Sequence, residues 1–263
     1  MIYIFSALYV EVKDLIQTLQ LKKDESIKGI EMFKKEDVIL ALTGVGKLQA
    51  ASCVSAVLEH FDANELDYMI QFGSVASSKH SKGLYSIHKI IGNHRNYYPD
   101  MLLNIGLSET TVTCVEEVVR DPKEEVDLYD MESEGVYVAC SRRLGPHQMY
   151  FLKFVSDSGE RITPSMLQKE ASLYTKEVVR VMDLLRNIPN ERYVCTEEEL
   201  QVLHQFTENL HCTKNMMDQV YQLVHYAKVS HIPYLESMKE YTEVTSKEEG
   251  KKALEEYARS IME

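Results

Sequence analysis

The segment Met1–Gln20 reads MIYIFSALYVEVKDLIQTLQ and contains two different hydrophobic patterns in succession. Its first six residues form a short apolar run that is typical of a buried strand. From residue 9 onward, apolar side chains recur at helical spacing: Val12, Leu15, Ile16 and Leu19. The stretch therefore predicts a strand followed directly by a helix. Because no basic segment precedes the apolar run, we interpret it as a first β-strand rather than a signal peptide.

The same alternation of strands and helices continues to about residue 155. Apolar runs bounded by glycine turns predict strands at residues 28–34, 37–43, 67–72, 84–91, 110–115, 126–129 and 149–155, and helical spacing predicts helices at 9–20, 48–60 and 132–144. Thr163 followed by Pro164 marks the start of a further helix, which we expect to reach about Leu185. This order favours an α/β fold with a mixed or parallel central sheet.

The last part of the chain has a different pattern. Two capping-box sequences, T-x-x-E from Thr196 and S-x-x-E from Ser246, precede apolar faces at helical spacing. We therefore expect two domains, an α/β domain over residues 1–187 and an all-helical appendage over residues 193–263, joined by a short linker.

Composition excludes several classes of protein. The formal net charge is −12, and the basic footprint of a nucleic-acid-binding protein is not seen. No apolar run is long enough to predict a membrane-spanning helix. The five cysteines are spread singly, which argues against disulfides and a zinc site and favours reduced thiols in the cytoplasm. A small-molecule substrate fits this balance best, with no metal or organic cofactor.

Carboxylates follow several of the predicted strands. Glu11 comes after the first strand, Glu132 after the strand at 126–129 and Asp157 after the last strand. Ligands of open α/β sheets bind at the carboxyl ends of strands, so we expect these acids to converge there. Taken singly, each acid is explained at least as well by a helix start, where negative charge is favoured.

Five short motifs occur in the order of a known family: Ala7–Glu11, Thr43–Lys47, Phe72–Ser74, Asp130–Gly135 and Val155–Asp157. Together they resemble the purine nucleoside phosphorylase/uridine phosphorylase superfamily, and are most similar to the methylthioadenosine/S-adenosylhomocysteine nucleosidases. The resemblance covers about residues 1–185. It implies a three-layer sandwich with a twisted mixed central β-sheet, carrying here a C-terminal helical appendage. It also implies a homodimer.

The resemblance implies two catalytic residues. Glu11 matches the glutamate that activates the attacking water, and Asp157 matches the acid that protonates N7 of the purine. Cleavage of a glycosidic bond develops positive charge on the sugar and negative charge on the base, which favours an anion on one side and a proton donor on the other. Asp157 must therefore be protonated when it acts.

Five further residues receive binding roles from the resemblance. Glu132 matches the acid that holds the ribose hydroxyls, and Met131 packs against the sugar. Ser156 supports the aspartate, and Ser74 lies near the water and the ribose. Lys153 stands where the family has an arginine, so the charge is kept while bidentate geometry is lost.

The reaction predicted from this set is hydrolysis of an adenine nucleoside. In the family an aspartate at position 157 goes with 6-aminopurines, and the candidate substrates are methylthioadenosine, S-adenosylhomocysteine and 5′-deoxyadenosine. The segment Ala7–Glu11 lacks the G-D-P-x-R phosphate loop and offers a carboxylate that would repel phosphate, so water is the favoured nucleophile. A phosphorylase is one alternative. A non-catalytic nucleoside sensor or scaffold, with a protein partner on the helical tail, is the other.

The chain departs from the family in its middle region. After the predicted strand at 67–72, the turn reads Gly73-Ser74-Val75-Ala76. The stretch from Ser74 to Met131 is shorter than in the family. We expect residues 113–116 to stand in for the missing wall of the base site. In the tail, His204, His211 and Cys212 suggest a metal site. Because second ligands at i+3 or i+4 are absent, we interpret these residues as ordinary helix residues.

Overall fold

The computed structural model describes residues 1–99, 102–188 and 196–262. The chain forms two compact units that divide after Ile188. Most of the predicted linker and Cys195 lie outside the described residues.

Strands and helices alternate through the described part of the first unit. The strands are β1 Ile2–Ser6, β2 Lys22–Asp24, β3 Met32–Lys35, β4 Val38–Leu42, β5 Tyr68–Ala76, β6 Leu84–Ile91, β7 Asn96–Tyr97, β8 Ser108–Cys114, β9 Leu128–Asp130 and β10 Met149–Asp157. The helices are α1 Tyr9–Leu19, α2 Lys47–His60, α3 Ser133–Cys140, α4 Pro164–Ser172 and α5 Thr175–Arg186.

The strands form one mixed sheet centred on β5. Strand β5 pairs in parallel with β1 on one side and with β10 on the other. Beyond β1 the sheet continues through β4 and β3 to β2, which is its last strand on that side. The α/β class with a mixed sheet, predicted from the sequence, is confirmed.

The other side of the sheet closes on itself, which corrects the predicted three-layer sandwich. Strand β10 pairs with both β5 and β6, and β6, β8 and β9 lead back to β5. Five strands therefore form a ring, and only the β1–β4–β3–β2 side is an open sheet. Pairing between strands so distant in sequence leaves no local signal.

Two apolar cores cover the two faces of the sheet. In β1, Tyr3 and Phe5 point to the core beneath α2 and α3, whereas Ile2 and Ile4 point to the core beneath α1, α4 and α5. Successive side chains of a strand alternate between faces, so a strand that is apolar at every position is buried on both. This double burial fixes β1 and hence the position of the residues that follow it.

Several elements differ from the sequence predictions. Strands β2 and β7 were not predicted. Strand β5 runs through Gly73 and Ser74 to Ala76, so this glycine lies inside a strand and not in a turn. As predicted, a helix begins at Pro164, with the Thr163 hydroxyl accepting a hydrogen bond from Met166 N. The single helix expected to reach about Leu185 is divided into α4 and α5.

The described part of the second unit is helical. It contains α6 Glu197–Asn209, α7 Lys214–Val229, α8 Leu235–Lys239 and α9 Lys247–Met262 around its own apolar core. The predicted caps are present, because the Thr196 and Ser246 hydroxyls accept hydrogen bonds from Glu199 N and Glu249 N. Across the described residues of both units, no helix combines the length and the apolar character that a membrane span requires.

Candidate functional site

A cavity of about 230 Å³ lies at the carboxyl ends of the strands in the first unit. Segments after β1, β4, β8 and β9 and the ends of β5 and β10 contribute to it. Six of the seven predicted site residues line this cavity: Glu11, Ser74, Met131, Glu132, Ser156 and Asp157. Residues from four separate stretches of sequence thus meet in one place.

Glu11 is buried and its carboxylate accepts four hydrogen bonds. Oε2 accepts from Ser6 Oγ at 2.8 Å and from Leu8 N at 3.1 Å. Oε1 accepts from Ser74 Oγ at 2.6 Å and from Ser74 N at 2.9 Å. Because donors bind both oxygens, the carboxylate is fixed in position and its charge is stabilised.

The short link between β1 and α1 places Glu11 at this point. Glu11 is the third residue of α1, where a carboxylate interacts favourably with the helix N-terminus and reaches the backbone N–H of Leu8. The carboxylate lies against strand β5, because a Cβ built at Gly73 would be in ordinary van der Waals contact with both Glu11 oxygens, at 3.7 Å.

Glu132 is buried at the start of α3, and its Oε1 accepts a hydrogen bond of 2.8 Å from Gly46 N. Burial raises the pKa of Glu132 to about 7, and the nearby Asp130 and Glu11 carboxylates act in the same direction. The Lys153 ammonium and the Gly46 N–H oppose this rise. Near neutral pH the side chain therefore exchanges readily between its two protonation states.

Lys153 is the one predicted site residue that does not line the cavity. It is fully buried in β10, and its Nζ pairs with Asp130 Oδ2 at 2.7 Å. Burial disfavours the ammonium, but the carboxylates of Asp130, Glu132 and Glu11 outweigh burial and hold the pKa of Lys153 above its ordinary value. The structure thus places this lysine behind the site, as a buried counter-charge.

Asp130 is a site residue that the sequence analysis did not single out. Its Oδ2 also accepts from the backbone N–H and the hydroxyl of Ser133, which orients the first turn of α3. Its Oδ1 is buried and accepts no hydrogen bond within the described residues. Burial and this carboxylate raise the pKa of the neighbouring Cys114 thiol.

Asp157 is half-buried at the end of β10 and lines the same cavity as the α1 and α3 acids. Its Oδ2 accepts from Ser156 Oγ at 2.7 Å and its Oδ1 from Gly159 N at 2.9 Å. Gly159 has a φ of +102°, and a Cβ there would overlap the Arg120 carbonyl. Position 159 must therefore be glycine if its N–H is to donate to Asp157 in this way.

The segment Val115–Val119, here called the wall segment, borders the cavity. Val115, Glu117, Val118 and Val119 line the cavity. The predicted wall, residues 113–116, is therefore corrected: only Val115 of that stretch faces the cavity. Glu116 turns away and pairs with Lys47 at 2.6 Å, because that ammonium bridges Glu116 and Glu134.

Lys47 and Glu134 were also missed as parts of the site. Their ion pair of 2.9 Å joins the first residue of α2 to α3 beside Glu132. Gly135 allows this approach, since a Cβ there would overlap the Lys47 carbonyl oxygen. The only sequence signal is a single lysine after the glycine turn and an acid two residues beyond Glu132, which is too weak to pair them.

The histidines and cysteine of the tail are not brought together as metal ligands. His211 Nε2 lies 3.0 Å from the Val244 carbonyl oxygen, and His204 pairs with Glu208. No group of three or more potential ligands that could hold a metal ion occurs in the parts of the chain that the structure describes.

Comparison with known proteins identifies the fold of the first unit. The futalosine hydrolase of Helicobacter pylori strain 26695 superimposes with a TM-score of 0.59 at 15% identity, covering 70% of this chain and 97% of the other. The Campylobacter jejuni 5′-methylthioadenosine/S-adenosylhomocysteine nucleosidase gives 0.57 at 18% identity, covering 70% and 98%. The Neisseria meningitidis nucleosidase in complex with methylthio-immucillin-A gives 0.57 at 15%, again covering 70% and 98%.

These similarities confirm, at the level of the fold, the resemblance carried by the five sequence motifs. The first unit has the fold of these nucleosidases and of the futalosine hydrolase. No protein-family model matches the sequence. No curated protein matches it either.

Proposed function

Proceeding from this nucleosidase fold, we propose that the chain hydrolyses the N-glycosidic bond of an adenine nucleoside to adenine and the free ribose derivative. The observation that carries the proposal is the arrangement of Glu11, Glu132 and Asp157 around one cavity. These are the three acids that the chemistry requires, and they come from separate elements of the fold.

Glu11 is the proposed base that takes a proton from the attacking water. Its two oxygens are held by Ser6, Leu8 and Ser74, so the carboxylate keeps one orientation while the reaction proceeds. Fixed geometry of this kind lowers the entropy cost of bringing the reacting groups together. As an anion it also stabilises the positive charge that develops on the ribose in the transition state.

Glu132 is the proposed ribose anchor. A carboxylate can accept hydrogen bonds from both ribose hydroxyls, and the Gly46 N–H uses only one position on Oε1. Met131, next to it, would pack against the sugar. A substrate that lacks these hydroxyls would lose this orientation and react more slowly.

Asp157 is the proposed acid that protonates the leaving base at N7. The Ser156 hydroxyl and the Gly159 N–H hold its two oxygens in place at the end of β10. The aspartate must carry a proton when it acts, and proton transfer to N7 prevents negative charge from building up on the purine. Methylthioadenosine, S-adenosylhomocysteine and 5′-deoxyadenosine are the candidate substrates.

Water, rather than phosphate, is the proposed nucleophile. Among the described residues that line the cavity there is no lysine, arginine or histidine, whereas five are acidic. A phosphate dianion would meet repulsion from these carboxylates without a compensating cation. A cytoplasmic location, a homodimer and a protein partner for the helical tail stay predictions from the sequence.

The deciding experiment measures adenine release from the three candidate substrates and from adenosine, with and without phosphate. We expect release that does not depend on phosphate, and we expect Asp157→Asn and Glu11→Gln each to lower kcat by at least about a hundredfold, the usual range for removing an acid or base. A rate that rises with phosphate concentration would instead establish a phosphorylase. Binding without release from any nucleoside would favour a sensor.

A further inference from the structure

The wall segment is held at both ends. At its start, Val115 N donates to the Asp130 carbonyl at 2.7 Å, and Glu116 is held by Lys47 and by Asn93 Nδ2 at 3.0 Å. Just past its end, the Arg120 backbone packs against Gly159. Further along, the Pro122 carbonyl accepts from Ser78 Oγ at 2.8 Å. The residues between these anchors are therefore presented to the cavity by a fixed backbone.

Glu117 lies between the two anchors and differs from the other acids of the cavity. Glu11, Glu132 and Asp157 each accept hydrogen bonds from the protein, and Asp130 is paired with Lys153. Glu117 lines the cavity and is exposed, and within the described ranges its carboxylate has no ion pair and no hydrogen bond. Its charge is available to a ligand.

The charge around the cavity has one sign. The acidic lining residues are Glu11, Glu117, Asp130, Glu132 and Asp157, and the Lys153 ammonium behind them is already paired. All five acids border one cavity of about 230 Å³, so an anionic group held inside it would lie near several carboxyl groups. One unit charge at about 5 Å changes binding roughly fourfold even in a water-like dielectric.

We propose that Glu117 is a specificity-determining residue that selects neutral or cationic nucleosides and rejects nucleosides with a net negative charge, such as a nucleoside 5′-phosphate. The inference rests on the proposed nucleosidase function and concerns the substrate class of the same cavity. The four other acids take part in the proposed reaction or in a buried pair, so Glu117 is the residue whose charge can be removed without altering the catalytic groups.

The test compares three nucleosides that share adenine and ribose and differ in charge at the 5′ position: 5′-amino-5′-deoxyadenosine, adenosine and adenosine 5′-monophosphate. We expect the wild type to have the highest kcat/KM for the amine and the lowest for the phosphate. In Glu117→Gln the amine-to-phosphate ratio should fall by about tenfold or more, because attraction and repulsion are lost together. Added salt should reduce the ratio in the wild type more than in the variant.

The matched control is Glu124→Gln, which removes an exposed acid from the same loop outside the cavity lining. It should leave the ratio close to the wild-type value. An unchanged ratio in Glu117→Gln, or an equal fall in both variants, would overturn the assignment to Glu117. If no nucleoside is cleaved, the proposed hydrolysis fails on its own, and equilibrium dissociation constants for the same three compounds still test the selection by charge.

Discussion

The backbone N–H of Gly46 donates a hydrogen bond of 2.8 Å to Glu132 Oε1, although the two residues are 86 positions apart. This bond joins the turn after β4 to the start of α3. Gly46 has φ +97° and ψ 148°, a backbone conformation that residues other than glycine rarely adopt. The orientation of the proposed ribose anchor therefore depends on a glycine in a distant turn.

Gly46→Ala is expected to destabilise the protein and to weaken nucleoside binding. The backbone conformation costs about 1–3 kcal/mol for a residue with a Cβ, and relaxing it would move the N–H away from Glu132. Thermal unfolding and KM for the cleaved nucleoside check the two effects. Gly29→Ala is the control, since Gly29 also has a positive φ of +86° and open space around it. A KM that rises equally in both variants would contradict this role of Gly46.

Ser74→Ala is expected to lower kcat/KM roughly tenfold. It removes the hydroxyl that donates to Glu11 Oε1 at 2.6 Å, and hydrogen bonds to charged groups are worth about 1.5–3 kcal/mol. The Ser74 N–H remains, so the loss should be partial. Steady-state kinetics measure it, with Ser141→Ala as control because that exposed hydroxyl donates to the Val138 carbonyl outside the cavity lining. Equal rates in the wild type and Ser74→Ala would show that Glu11 does not need this donor.

Glu132 should make the stability of the protein depend on pH. Burial, followed by the Asp130 charge, raises the pKa of Glu132 from 4.5 to about 7, so the folded state binds this proton more tightly than the unfolded chain. The stability it contributes is present below about pH 4.5 and is lost as the pH rises to about 7. About 3 kcal/mol of unfolding free energy should be lost across this window.

The Glu132→Gln variant has no ionisable proton at this position, so it should not lose this part of its unfolding free energy as the pH rises. Urea unfolding of both proteins at pH 4.5 and pH 8 measures it, and the stability of the variant relative to the wild type should increase with pH. Two pH curves that run parallel would mean that Glu132 ionises normally in the folded protein.

Lys153→Met should be strongly destabilising. It leaves the buried Asp130 carboxylate without the ammonium that lies 2.7 Å away, and breaking a buried ion pair on one side costs about 3–5 kcal/mol. Urea denaturation gives the change in unfolding free energy. Adding Asp130→Asn removes the stranded charge, so the double variant should regain part of the stability. Additive losses in the double variant would show that the two residues do not interact.

Local sequence patterns predicted the parts of the site that depend on neighbouring residues. The apolar run of β1 followed by helical spacing placed Glu11 at the carboxyl end of a strand. Thr163 and Pro164 predicted the start of α4 because capping needs only adjacent residues. No such local signal separates α4 from α5, since neither glycine nor proline stands between Ser172 and Thr175.

The parts that were missed depend on distant contacts. Gly73 was interpreted as a turn because glycine usually marks one, but it lies within β5, against the Glu11 carboxylate. Lys153 was matched to a substrate-binding arginine, yet its ion pair with Asp130 forms only when the fold brings β10 and β9 together. The ring of strands and the place of Glu117 likewise follow from pairings that one sequence does not reveal.

The short strand β2, Lys22–Asp24, has a consequence for solubility. It forms the end of the open side of the sheet, where unpaired backbone groups could recruit a strand from another molecule and start aggregation. Its side chains are two exposed lysines and a partly exposed aspartate, and Lys23 also pairs with Glu25. A strand of three charged residues gives little length for pairing and presents no apolar side chain to a second copy. The open edge of the sheet is thus protected against edge-to-edge association when the folded protein is at high concentration.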